Sequence, residues 1–200
     1  MRSLIIATKN IGKFKEIEDE LAGSFDRFYS LADFDDQVDV VEDGQTYAEN
    51  AMKKARKIGN RYAIDTLSDD SGLEVKALGD RPGIHSARYG GSDAARIDRL
   101  LGELAGVTEE ARGAVFKAYL VYYLPAEGKS YIFYGHLKGR ILTERRGSNG
   151  FGFDPVFYVP DLGRTLAEMT VEEKNRISHR GRALASFRAF LGSTARASAR

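Results

Sequence analysis

Apolar positions along this chain change period several times, and each change marks an element. Ser3-Leu4-Ile5-Ile6-Ala7 is a short, unbroken apolar run, the pattern of a strand buried on both faces. Ile11, Phe14, Ile17 and Leu21 then recur at helical spacing behind Asn10, a good N-cap. Residues 25–41 show no clear period, and the acidic stretch 33–39 reads as loop. Thr46-Tyr47-Ala48-Glu49 has the capping-box pattern. It predicts a helix with Ala48, Ala51, Met52, Ala55 and Ile58 on one face and an end near Gly59. Tyr62-Ala63-Ile64-Asp65 predicts a strand, residues 73–78 a second, and residues 94–104 a helix. Residues 79–91, with Pro82 and several glycines, read as a shaped loop.

The pattern beyond residue 113 is different. Residues 114–124 and 130–142 are rich in Tyr, Phe, Val and Ile, with a turn at 125–129 between them, and predict a long antiparallel hairpin. A glycine-rich loop at 147–152 precedes a short strand at 155–159. Thr170-Val171-Glu172-Glu173 is a second capping box, and Ser178 caps a final helix that turns Leu184, Phe187 and Leu191 inward. The expected fold is α/β: two lobes, a mixed β-sheet with long twisted strands flanked by helices, and an active-site cleft between the lobes. No Pro/Gly/Ser linker divides the chain and no repeats occur. Residues 1–192 therefore read as a single domain and 193–200 as a frayed tail.

Composition narrows the function classes. The 200 residues are 42% hydrophobic and 30% charged, as in soluble globular proteins. A net charge of +1 gives no electrostatic footprint for nucleic acid or a membrane surface. There is no cysteine, hence no disulfide, thiol nucleophile or cysteine metal site. No apolar run is long enough to span a membrane, and the chain enters a core strand at once, so a cytoplasmic location is expected. His85, His136 and His179 lack zinc-ligand spacing. Gly128-Lys129-Ser130 resembles the end of a P-loop, but position 123 is Tyr and the segment sits in a hairpin turn. Gly147, Gly150 and Gly152 lack the dinucleotide-binding spacing.

Ser68-Asp69-Asp70-Ser71-Gly72-Leu73 is the segment richest in candidate chemistry. Adjacent carboxylates at the end of a strand repel each other and are costly to bury. A divalent cation resolves that conflict, since Mg²⁺ takes one or two carboxylates plus phosphate oxygens. The alternative is an ordinary turn, which these residue types also favour. Thr8-Lys9-Asn10-Ile11-Gly12-Lys13 joins a strand to a helix N-terminus, where backbone N–H groups attract phosphate. Glu42 and Asp43 are either solvated acids or further metal ligands. Phe151-Gly152-Phe153-Asp154-Pro155 offers aromatics that either fill the core or stack on a base. Lys174 and Ser178-His179-Arg180-Gly181 place cations at a helix start, where the dipole disfavours them, and so suggest an anionic or carbonyl-bearing ligand.

Taken in order, these segments resemble the inosine/xanthosine triphosphate pyrophosphatases, the house-cleaning enzymes for non-canonical purine nucleotides. The resemblance rests on Ala7–Lys13, Thr46-Tyr47-Ala48-Glu49-Asn50-Ala51, Ser68–Leu73, Pro82-Gly83-Ile84-His85-Ser86-Ala87-Arg88-Tyr89, Gly150–Pro155 and Ser178–Gly181. It implies Mg²⁺-dependent hydrolysis of ITP, dITP and XTP to the monophosphate and pyrophosphate, by a homodimer. It implies that Thr8, Lys9, Asn10, Ile11, Gly12, Lys13 and Lys54 hold the phosphates. Asp70 would then be metal ligand and proton acceptor, Glu42 and Asp69 would support the metal, and Ser71 would contact substrate. Phe151, Gly152, Phe153, Asp154, Lys174, His179 and Arg180 would surround the nucleoside. Lys9 departs from the glycine that many members carry, adding charge near the phosphates. The rival readings are a non-catalytic nucleotide sensor and a pyrophosphatase for other modified nucleotides.

Overall fold

Strand β1 (Ser3–Ala7) is the spine of the first half of the chain. It pairs in parallel with β2 (Arg27–Tyr29) on one side and with β3 (Thr66–Val75) on the other. Its residues alternate between two buried faces. Leu4 and Ile6 pack with α1 (Ile11–Glu20) and α5 (His179–Ser198) through Ile17, Leu21, Leu184 and Phe187. Ile5 and Ala7 pack on the opposite side with Ile58 of α2 (Tyr47–Tyr62). A parallel strand covered on both faces needs an unbroken apolar run, and that is what the sequence supplies.

The computed structural model describes residues 2–35 and 38–198. They form a mixed eight-stranded sheet flanked by helices, in the order β2-β1-β3-β5-β6-β7-β8, with β4 (Arg81–Pro82) pairing off β3. The hairpin strands are β5 (Gly113–Leu124) and β6 (Lys129–Ile141), followed by β7 (Phe157–Val159) and β8 (Arg164–Thr165) in antiparallel register. The chain divides into two compact units, one comprising Met1–Asp70, Ala118–Gly135 and Arg180–Arg200, the other Ser71–Lys117 and His136–His179. The core of the second unit joins Leu73 and Val75 of β3 to Ile97 and Leu100 of α3 (Asp93–Glu103) and to Phe116, Leu137 and Phe157.

Several boundaries differ from the sequence reading. Gly59 does not end α2, which runs on to Tyr62 and closes at Ala63 in the left-handed region (φ 53°). Gly59 is instead a contact point, because a Cβ there would lie 2.7 Å from the Tyr123 ring. The strand expected at 62–65 begins at Thr66 and runs unbroken to Val75, absorbing the Asp-Asp segment and the start of the strand expected at 73–78. Only residues 76–78 of that second strand leave it, as a 3-10 turn. Ile11, expected on the buried face of α1, is 74% exposed because it opens the helix before the first turn reaches the core. Residues 193–198, expected as a frayed tail, continue α5 as helix, while 199 and 200 lie outside the described residues. Both parts of the acidic loop that flank residues 36 and 37 are irregular, apart from a 3-10 turn at Leu31–Asp33.

Candidate active site

In the first unit the strand β3 carries the two adjacent acids through the core. Successive strand residues point to opposite faces, and the partners agree. Ser68 Oγ donates to Ala51 O of α2 at 2.6 Å, so Ser68 and Asp70 face α2. Leu67 belongs to the cluster under α1 and α5, and Asp69 meets the cations of those helices. Arg180 Nε donates to Asp69 Oδ2 at 2.9 Å and its NH2 to Oδ1 at 3.3 Å, while Lys13 Nζ also donates to Oδ1. Arg180 reaches Glu16 Oε2 as well, at 2.7 Å. Burial alone would raise the Asp69 pKa, but Arg180 and Lys13 overcome it and hold the carboxyl well below the usual range. Burial likewise opposes the charge on Arg180, and Asp69 and Glu16 reverse that.

Asp70 has the contrary environment. It is buried, and its Oδ2 has no hydrogen-bond partner. Burial pushes its pKa up to about 6; Lys54 and Lys13 oppose that rise, and Glu42 and Asp69 add to it. Lys54, on the second turn of α2, donates to Glu42 Oε1 at 2.9 Å and to the Asp69 carbonyl at 3.1 Å. The loop bearing Glu42 is held in turn by Asn50, whose Oδ1 accepts from Gly44 N at 2.8 Å. Before α1, Thr8 Oγ1 accepts from Asn10 N at 3.1 Å and Asn10 Oδ1 from Lys13 N at 3.0 Å, which aims Lys13 at β3. Burial lowers the pKa of Lys13, against the pull of Asp69. Lys9 points outward to Asp39 at 3.5 Å. A separate cavity of about 650 Å³ is bordered by Thr8, Lys9, Asn10 and Ile11 together with Phe14 and Tyr62, and neither Asp69, Asp70 nor Lys54 lines it.

The second unit holds the other candidate residues. Asp154 Oδ2 accepts from Phe151 N at 3.0 Å and from Lys174 Nζ at 2.5 Å. Lys174 Nζ lies 4.5 Å from the centroid of the Phe151 ring, a cation–π arrangement. Gly150 (φ +76°) makes this closure possible, since a Cβ there would sit 2.1 Å from Asp154 Oδ2. Thr170 and Glu173 complete their capping box, placing Lys174 in the last turn of the short helix α4 (Val171–Ile177). His179 stacks on Phe116 with ring centroids 4.6 Å apart and planes 8° from parallel.

Four expectations change. Phe153 is core, 4% exposed and edge-on to Tyr89 at 6.3 Å, because the turn at Gly152 sends it inward. Glu42, Asp69 and Asp70 do not form a ready three-carboxylate metal site. Among the described residues no group of three or more His, Cys, Asp or Glu is placed to hold a metal, and strand alternation separates Asp69 from Asp70. Lys174 is not at a helix start but near a helix end, where a cation is favoured. Arg180 does open a helix, and its guanidinium there is closed on Asp69 and Glu16, two carboxylates of the chain itself. Sequence reasoning missed Glu16 and Phe116. Glu16 had a signal, as a charge beside Ile17 on the apolar side of α1; Phe116 is one aromatic among many in its hairpin.

A buried acid with an open oxygen, under the influence of two lysines and set on a mixed α/β sheet, suits a polyphosphate-handling protein. The comparisons narrow that class, for a sequence model of the Ham1 family matches residues 4–190, and the chain belongs to this family. It is 47% identical over 195 residues to the dITP/XTP pyrophosphatase of Geobacter sulfurreducens, covering 96% of this chain and 98% of that one. It is 46% identical over 187 residues to the dITP/XTP pyrophosphatase of Geobacillus kaustophilus, covering 92% and 91%. A HAM1 protein from Coxiella burnetii superimposes with a TM-score of 0.86 at 37% identity, over 96% of this chain and 100% of the other.

Proposed function

We propose that this protein hydrolyses non-canonical purine nucleoside triphosphates, dITP, ITP and XTP, to the monophosphate and pyrophosphate. The observation that carries the reading is Asp70: a buried carboxylate with one unpartnered oxygen and a raised pKa, in a chain nearly half identical to dITP/XTP pyrophosphatases. A carboxylate raised to about 6 is a better proton acceptor than an exposed one and still ionises near neutral pH. Attack on the α-phosphorus needs a positioned water, a base and charge neutralisation. Asp70 takes the proton. Lys13 and Lys54 supply positive charge, and their hydrogen bonds to Asp69 and Glu42 fix where their ammonium groups sit.

The residues fit a magnesium ion held jointly with substrate. Asp70 offers a buried acceptor without a donor, Glu42 is a half-buried carboxylate nearby in charge terms, and one or two carboxylates plus phosphate oxygens are what Mg²⁺ takes. Asp70 and Glu42 would hold it, and the ion when bound neutralises triphosphate charge. Phe151 would stack on the purine, with Lys174 and His179 facing its polar edge. The exposed Ile132 and Tyr134 of β6 support a homodimer. Among the described residues no helix is long and apolar enough to cross a membrane. A cytoplasmic location is part of this proposal, because the proposed substrates belong to the free nucleotide pool.

A nucleotide panel with Mg²⁺ tests the reading. ITP, dITP and XTP should yield pyrophosphate and monophosphate in one step, with ATP strongly and GTP less strongly rejected. Release of orthophosphate with accumulating IDP, or binding without turnover, defeats it.

A further inference from the structure

We propose that Asp93 is a specificity-determining positioning residue that holds the Phe151–Gly152 turn in shape. The proposal rests on the assignment of that turn to the base. Asp93 is the first residue of α3, but it is not the cap: Ser92 is, its Oγ accepting from Ala95 N at 3.2 Å. Asp93 is therefore available for another task. Its Oδ2 accepts from Gly152 N at 2.7 Å, across 59 residues of sequence. Its Oδ1 accepts from Arg96 NH1 at 2.5 Å, which orients the carboxylate. Gly90 lets the preceding chain close on the helix start, since a Cβ there would lie 2.8 Å from Arg96 N.

The turn is thus held from two sides. Phe151 N donates to Asp154 and Gly152 N to Asp93, so successive amides are fixed by carboxylates from different parts of the unit. Phe153 anchors the far end in the core beside Tyr89, over whose ring Arg99 of the same helix α3 lies at 4.1 Å. The backbone on each side of the Phe151 side chain is consequently fixed. A ring that must lie flat under a purine while other groups read its edge has to be placed within a fraction of an ångström. Hydrogen bonds from backbone N–H to a charged acceptor are among the stronger ones. Losing one leaves Gly152 N to water and the Phe151 ring with more than one placement. That weakens binding of the cognate base more than it slows a correctly bound substrate.

Steady-state kinetics on ITP and ATP, with hydrogen exchange of the peptide spanning Gly152, tests this. Asp93→Ala should raise KM for ITP by about 10-fold, the order of one charge-assisted hydrogen bond, with kcat nearly unchanged. The ITP preference over ATP should narrow, and exchange around Gly152 should speed up. Asp93→Asn keeps an acceptor oxygen and should recover most of the KM. Asp93→Glu keeps the charge at the helix start but displaces the oxygen, and should resemble the alanine variant. Its carboxylate also keeps the helix folded should Asp93→Ala fail to fold. Phe151→Ala is the companion control, expected to raise KM for ITP. If it does so while Asp93→Ala and Asp93→Glu keep the parent KM and exchange rate, the proposal is overturned and the base assignment stands. If Asp93→Glu restores everything, Asp93 serves only the helix dipole and the proposal is wrong. If Phe151→Ala leaves every KM unchanged, the base assignment falls and this proposal with it.

Discussion

Asp69 and Asp70 are neighbours in sequence and face opposite sides of β3, one closed by Arg180 and Lys13, the other with an unpartnered oxygen. Strand geometry makes this separation. In a turn the two acids would crowd one another; in a strand the pleat sends one to the α1/α5 face and the other to the α2 face. Their proton affinities then part: Asp69 is ionised by its cations, while Asp70 is held up by burial. One acid anchors the helices that bear Lys13 and Arg180, and its neighbour keeps an oxygen without a hydrogen-bond partner.

The first prediction concerns Asp70→Asn. An amide is no base and a poor Mg²⁺ ligand, so turnover should fall by about 10²–10⁴-fold, with the fold retained. Stability gives an independent check in metal-free buffer. Asp70 titrates near 6 in the folded protein against 3.8 as an ordinary carboxylate, so between those values the folded state keeps a proton that the unfolded state has lost. Stability from this group therefore falls as pH rises through that window. The variant lacks the loss. Its melting temperature relative to the parent should climb between pH 4 and pH 7, and a flat difference would remove the assigned environment.

Arg180 supplies the second. Its removal leaves Asp69 and Glu16 buried without that partner, and breaking such a pair costs about 3–5 kcal/mol. Arg180→Ala should lower the denaturation midpoint sharply and depress turnover of ITP, XTP and ATP in similar proportion. A variant that stays stable but loses only the preference for ITP over ATP would make Arg180 a reader of the base instead.

Gly150 and Gly152 make a matched pair. Both have positive φ, +76° and +63°, so alanine at either costs about 1–2 kcal/mol from the left-handed backbone. Only at Gly150 does the new Cβ meet Asp154, 2.1 Å away; at Gly152 nothing lies within 4 Å. Gly150→Ala should therefore also dislodge Asp154 from Phe151 N and Lys174 and raise KM for ITP well beyond Gly152→Ala. Equal KM values in the two variants would argue that Asp154 does not organise the loop.

Assembly is tested through β6. Ile132 and Tyr134 are 51% and 42% exposed on a strand whose partner face is already packed. Light scattering at micromolar concentration should give twice the chain mass, and Ile132→Asp should shift it toward the monomer. A parent protein that is monomeric, or a variant that dimerises as before, excludes this surface as the interface.

Much of this protein was legible in its sequence. Local rules suffice for β1, for Asn10 capping α1, for the capping box at Thr170 and for the long hairpin, because each depends on residues a few positions apart. The candidate segments around Thr8, Ser68, Phe151 and His179 were legible for the same reason: unusual residue types stand close together in the chain. What the tertiary structure decided were relations across long separations. Gly59 reads as a helix stop until Tyr123 is packed against it. Phe151 and Phe153 look equivalent until the turn puts one in the core and the other beside Lys174. Asp69 and Asp70 look like one metal site until β3 pairs with β1, the pleat turns them apart, and Arg180 arrives from 111 residues away to neutralise one of them. Sequence carries residue types and periodicity; which charge meets which partner, and which is left with an open oxygen, is fixed only when distant elements pack and exclude water.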